Sequence, residues 1–256
     1  MPLYRDAAIV LRTHKLGEAD RIVTLLTRGR GKVRAVAKGV RRTRSKFGAR
    51  LEPGMVVDVQ CYEGRNLDTV TQAESLASYG DAISRDYEAW TAANAMLELC
   101  DQLINEHEVA ARQFVLLAGG LAALAEGDHD PRLVLDSFLL RTMAIAGWAA
   151  SFTDCARCGE GGPHRAFNVR VGGAVCSVCR PPGSLAPAAE TFALLGALQA
   201  GDWTYADSSH RQHRTQASGL VAAYLQWHTA RGVRALRYEK APPSTTSTHE
   251  APTAGR

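Results

Sequence analysis

Residues 28–50 read RGRGKVRAVAKGVRRTRSKFGAR and hold ten Lys/Arg and no acid. Lys32 to Lys38 alternates strictly: Val33, Ala35 and Ala37 fall on one face, and Lys32, Arg34, Val36 and Lys38 on the other. That is the period of a β-strand with one face in a core and a second, mostly cationic face outside it. Gly29-Arg30-Gly31 turns the chain into this strand and Gly39 ends it. A loop from Val40 to Arg50 follows, carrying Arg41, Arg42, Arg44, Lys46 and one aromatic, Phe47. Phe47 fits two roles, a platform for a stacked base or an anchor in the barrel core.

The whole chain has 30 Lys and Arg against 26 Asp and Glu, so outside this block the balance is 20 against 26, net negative. Concentrating positive charge in this way is costly through self-repulsion unless a polyanion neutralises it, and a nucleic-acid backbone is the common polyanion. A face that serves solubility alone normally mixes signs.

Working outward from the block, residues 6–73 read as short strands separated by turn signals. They are Ala7–Arg12, Arg21–Thr27, Lys32–Lys38, the run around Val57, Val59 and Cys61, and Leu67–Ala73, with Pro53-Gly54 and Glu63–Asn66 as turns. Five short strands in this length fit a small closed barrel, either of the OB type that binds nucleic acid or SH3-like; periodicity does not separate the two.

From Asp81 the period changes to three or four residues. Tyr87, Trp90, Leu97, Cys100 and Ile104 mark one helix, Val109–Leu124 a second, and Asp130-Pro131 starts a third that carries Leu135, Phe138, Leu139 and Met143 and stops at Gly147. From Glu74 to Asp136 there are 12 acids and three Arg, so this bundle should not lie along a phosphate backbone. Two closing helices are expected, from about Pro187 to Ala200, ended by Gly201, and from about Arg211 to Arg231, ended by Gly232. The last residues, from Pro242 on, are rich in Thr, Ser, Pro and Ala and read as a disordered tail.

Between the bundle and the closing helices stand Cys155-Ala-Arg-Cys158, seventeen residues, and Cys176-Ser-Val-Cys179. Two C-x-x-C turns supply four thiolates, the full tetrahedral ligand set of one Zn2+. With no open position for water the metal is structural, and such binding stabilises a small fold by on the order of 10 kcal/mol. A paired redox role is the alternative, although neither motif sits in a thioredoxin-like βαβ pattern. Phe167–Val171 and Ala174–Val175 can pair as a short ribbon. The remaining cysteines, Cys61 and Cys100, sit in apolar patterns and read as small buried hydrophobes.

Other classes find little support. The longest uncharged apolar run, Phe114–Ala125, is well short of the roughly 20 residues that cross a bilayer, and the N-terminus lacks the pattern of an export signal, so a cytoplasmic location is expected. A metal nuclease would need clustered carboxylates, whereas Asp6, Glu18, Asp20, Glu52 and Asp58 are dispersed. No phosphate loop is present, the eight histidines form no ligand spacing, and the chain reads as a binding protein rather than an enzyme.

AIVLRTHKLGEADRIVTLLTRGRGKVRAVAKGVRRTRSKF followed by LEPG resembles the N-terminal domain of the RecO family of DNA repair and recombination mediators. The order of barrel, helices, four-cysteine module and closing helices is also similar. The resemblance implies an α+β multidomain protein: an N-terminal OB-fold barrel over 1–78, a helical domain over 79–240 with an inserted zinc module at about 152–182, and a tail over 241–256. It also implies binding of single- and double-stranded DNA, strand annealing, and work with RecR to load RecA onto DNA coated by single-strand-binding protein, at the nucleoid.

Carried over to this sequence, the DNA contacts would be Arg34, Lys38, Arg41, Arg42, Arg44 and Lys46, with Lys32 and Arg50 from the same block. The zinc ligands would be Cys155, Cys158, Cys176 and Cys179. In the family an acidic tail of the single-strand-binding protein docks in an apolar and basic pocket of the helical domain; here Arg112, Arg132 and Arg141 are among the few cations available. Phosphate contacts carry no polymer identity, so on residues alone an RNA-binding or ribosome-associated OB protein with a zinc ribbon is the alternative.

Overall fold

The computed structural model describes residues 2–229. The expected tail and the Gly232 end of the last helix lie outside the described residues. Five strands, β1 (Leu3–Leu16), β2 (Asp20–Thr27), β3 (Gly31–Ala37), β4 (Val56–Tyr62) and β5 (Asp68–Ala77), close into a barrel in the order β1-β2-β3-β5-β4. A simple meander would set β3 beside β4; instead β5 is inserted between them and meets β3 in parallel, Ala35 opposite Asp68 and Val36 opposite Thr69. That topology distinguishes the OB-type barrel from the SH3-like one.

β1 is longer than the expected Ala7–Arg12 because it is shared. Its first half pairs with β4 and its second with β2, with a bulge between Val10 and Arg12 where it changes direction. The run Ala8–Leu11 is apolar on both faces for the same reason. Ala8 and Val10 fill the barrel interior with Val23, Leu25, Val57 and Val59, whereas Ile9 and Leu11 join Leu26 and Val56 in the core of the helical region.

The helical region comprises α1 (Gly80–Ile83), α2 (Tyr87–Leu103), α3 (Ala111–Glu126), α4 (Pro131–Ile145), α5 (Ala189–Ala200), α6 (Trp203–Ser208) and α7 (Arg211–His228). The short α1 and α6 have no periodicity long enough to be seen in the sequence. α4 begins as its sequence signals predict, with Asp130 accepting from the Arg132 amide at 2.9 Å and Pro131 in the first turn. It packs against α2, α3, α5 and α7 and is buried on nearly every side.

In α2 the expected inward Tyr87 and Trp90 are instead exposed and stacked on each other, ring centroids 6.3 Å apart. Ala89, Ala92, Ala93 and Met96 take the core side, where small side chains let neighbouring elements approach.

The barrel is tied to the helices by backbone as well as side chains. The His107 amide donates to the Lys32 carbonyl at 2.9 Å, and Lys32 bridges Glu106. Gly31 makes this approach possible. A Cβ there would lie 1.8 Å from the Glu108 carbonyl oxygen, and its φ of +74° is disfavoured for any other residue. Gly31→Ala is therefore expected to cost more than about 3 kcal/mol in urea unfolding, well above an ordinary surface substitution.

Candidate nucleic-acid interface and metal centre

The loop that follows β3 is folded rather than loose. Val40, Phe47 and Leu51 are buried in the barrel core, and Gly48–Leu51 forms a 3-10 turn. Phe47 is 1% exposed, so it is the core anchor and not a stacking platform. Backbone bonds hold the first half of the loop to the β1–β2 hairpin: the Gly39 amide donates to Asp20 Oδ1 at 2.7 Å and the Arg41 amide to the Ala19 carbonyl at 2.9 Å.

With the apolar residues turned in, Lys38, Arg41, Arg42, Arg44, Lys46 and Arg50 are all exposed. Three of them are steadied by carbonyl oxygens. Arg41 Nη1 donates to Gly17 at 3.2 Å, Lys46 Nζ to Thr71 at 2.8 Å and Arg50 Nη1 to Lys46 at 3.1 Å. Among the described residues none of the six is ion-paired with a carboxylate. Arg41, Lys46 and Arg50 are pre-positioned, and the charge of all six is left for something else.

The other half of the charge block behaves differently. Lys32 is only 12% exposed; its Nζ donates to the Asp101 carbonyl at 2.6 Å and lies 3.7 Å from Asp101 Oδ1. It is not brought to the loop surface, because the outward face of β3 at that level is covered by the end of α2. Arg34 is exposed but faces Glu106, Nη1 to Oε1 3.5 Å. Arg30 lies over the Tyr4 ring and 3.6 Å from Glu63. Among the described residues the block thus divides at Ala37: Arg30, Lys32 and Arg34 before it meet acids of the protein, Arg28 instead lines a groove between α3 and α4, and the six cations beyond it have no carboxylate partner. Lys15, on the β1–β2 hairpin opposite Arg21, is a further exposed cation beside the loop; its signal was its position two residues before the turn.

A groove of about 810 Å3 runs between α3 and α4. Leu116, Phe138, Ile145 and Trp203 give it an apolar lining, and Arg28, Arg112 and Arg141 also line it. Arg132 does not. These three arginines come from β-barrel, α3 and α4, so no window of the acidic sequence brings them together.

The four-cysteine module has β6 (Ala166–Asn168) and β7 (Gly173–Val175) as an antiparallel ribbon, a shorter first strand than expected. Its own core is small, Cys155, Ala166, Val175 and Cys176, while Phe167 and Ala174 point the other way into the main helical core, where Phe167 stacks 6.1 Å from Phe152.

The sulfurs of Cys155, Cys158, Cys176 and Cys179 lie within 4.8 Å of one another, Cys158 and Cys176 3.9 Å apart. With metal–sulfur bonds of about 2.3 Å a tetrahedral site needs sulfurs separated by about 3.8 Å. Amides of Cys176, Cys158 and Arg157 lower the Cys155 thiol to about 6, whereas the crowding sulfurs of Cys158 and Cys176 push Cys179 up to about 12. Four thiols this close cannot all ionise unless a cation sits among them, and the donor set suits Zn2+. Cys61 and Cys100 are fully buried, each with its thiol raised by desolvation.

Comparison with known proteins adds a family context. Residues 1–79 match the family model described as Recombination protein O N terminal, and residues 84–237 the one described as Recombination protein O C terminal. Among similar proteins, the DNA repair protein RecO of Thermobifida fusca (strain YX) is 59% identical over 238 residues, 93% of this chain and 98% of that protein. That of Nocardioides sp. is 59% identical over 240 residues, 92% and 98%, and that of Streptomyces avermitilis 56% identical over 245 residues, 93% and 99%.

Proposed function

Since the chain belongs to the recombination protein O family, we propose that it is a non-catalytic DNA repair and recombination mediator that binds DNA through the loop after β3 and anneals complementary strands there. One observation carries this reading: six exposed cations, Lys38, Arg41, Arg42, Arg44, Lys46 and Arg50, on a loop pinned to an OB-type barrel and, among the described residues, left without acidic partners. Two complementary strands repel through their phosphates. A cationic surface that holds both neutralises that charge and raises their local concentration, and base pairing then supplies the free energy. The step needs no nucleotide hydrolysis.

The family resemblance extends the reading to work with RecR in loading RecA onto DNA coated by single-strand-binding protein. The α3–α4 groove supports one part of it, because an apolar floor rimmed by Arg112, Arg141 and Arg28 fits an acidic peptide tail. Cys155, Cys158, Cys176 and Cys179 would hold one structural Zn2+ that folds the module joining α4 to α5.

The test is annealing of complementary strands coated with single-strand-binding protein, without ATP. The intact chain is expected to accelerate it; a rate equal to that without the chain would contradict the proposal. Arg112→Ala with Arg141→Ala is expected to weaken binding of the acidic tail peptide at least about tenfold, through loss of charge-assisted hydrogen bonds. The same variant should keep annealing of bare strands.

A further inference from the structure

A cleft of about 1130 Å3 lies between the outer face of β1–β3 and α2. Register places Arg12 opposite Thr24 and Thr24 opposite Arg34, so two arginines flank the buried Thr24 in one row across three strands. That row lies on the β2–β3 side, the face on which OB barrels hold oligonucleotides. Here it is met by acids instead. Arg12 Nη1 is 3.2 Å from Asp101 Oδ2, and Arg34 Nη1 is 3.5 Å from Glu106 Oε1.

We propose that Asp101 and Glu106 take the place of backbone phosphates as partners of Arg12 and Arg34, and so hold these two arginines as a second, masked phosphate subsite on the barrel beside the loop surface. The inference rests on the reading of the barrel as the nucleic-acid-binding element.

Two features separate this arrangement from an incidental pair of surface contacts. The first is that the backbone, and not the ion pairs, fixes the Glu106 segment. His107 donates to the Lys32 carbonyl, and Gly31 admits Glu108 at a distance no other residue allows. Asp101 is likewise fixed near the C-terminus of a packed helix and holds the part-buried Lys32. The second is that the arginines themselves are free to leave. Side chains of Arg12 and Arg34 are 55% and 43% exposed while Asp101 is 16% exposed, so each guanidinium faces solvent and can exchange its partner even where the acid is held. An incoming phosphate can therefore draw each guanidinium away while the carboxylates stay behind as competitors. The acids lower affinity on this face and leave binding to the loop until enough strand is present to reach further.

The experiment measures binding of fluorescent single-stranded DNA to the full chain between 50 and 200 mM salt. Asp101→Asn with Glu106→Gln is expected to free two cations and to steepen the slope of log affinity against log salt by about 1.4. The fourfold rise in salt should then cost roughly sevenfold more affinity than it costs the unsubstituted chain. Adding Arg12→Ala and Arg34→Ala to that variant should cancel the gain, while the same two changes in the unsubstituted chain should have little effect.

A control of equal charge, Glu126→Gln with Asp128→Asn, alters two exposed acids at the C-terminal end of α3 and in the turn after it, neither of which lines the cleft. The proposal is overturned if the control gives the same gain, if no gain is seen, or if the gain survives loss of Arg12 and Arg34. Should Asp101→Asn unfold the protein by stranding Lys32, Glu106→Gln alone tests the idea with about half the change in slope. If DNA binding ignores the loop cations, it is the loop reading that fails, and the acid variants report separately.

Discussion

Changing Arg41, Arg42 and Arg44 together to alanine is expected to weaken binding of single-stranded DNA on the order of 100-fold at 0.1 M salt. Each phosphate neutralised on a single strand adds about 0.7 to the salt exponent, so three lost contacts lower it by about 2, and the affinity falls accordingly. Thermal stability should hardly move. The three side chains are exposed and have no carboxylate partner among the described residues, and the anchors Val40, Phe47 and Leu51 are untouched. Surface changes of this kind shift stability by within about 0.5 kcal/mol. Unchanged affinity in a folded variant would move the site elsewhere.

Removing the metal, or changing Cys155 to Ser, is expected to give the largest loss of stability of any local change. A bound Zn2+ contributes on the order of 10 kcal/mol to such a module, which has four buried residues of its own to replace it. The damage should spread, because Phe167 and Ala174 of the ribbon are part of the main core with Phe152, Phe192 and Tyr224. A fall in Tm of at least about 10 °C is expected, with zinc content dropping from one per chain to none. Binding of bare DNA should suffer less, since the barrel meets the helices through Ile9, Leu11, Leu26 and Val56 rather than through the ribbon. A chelated protein with unchanged Tm and an ordered ribbon would contradict a structural metal.

The parts of this molecule that were legible in its sequence are those fixed by local chemistry. Alternation in Lys32–Lys38 gave the strand and its inward Val33, Ala35 and Ala37. The two C-x-x-C turns gave the four sulfurs now found together, and Asp130-Pro131 gave the start of α4. What stayed hidden depends on partners distant in the chain. Whether the barrel is of the OB type rests on the short parallel meeting of β3 and β5.

Lys32 does point outward, as its place in the alternation requires, but outward at that level means toward Asp101, which arrives 69 residues later. Phe47 sits among cations, yet its ring is what the barrel needs to close over the loop. Tyr87 and Trp90 share a helical period with true core residues, and the period alone does not say which stripe the alanines will take. The α3–α4 groove draws on Arg28, Arg112 and Arg141, three cations that an acidic local composition conceals.

The central claim is that phosphate neutralisation by the loop after β3 holds the DNA, and its most direct test is the affinity of the unsubstituted chain for single-stranded DNA over a range of salt. With about six phosphates engaged, log affinity should fall against log salt with a slope near −4. An affinity indifferent to salt would contradict the account.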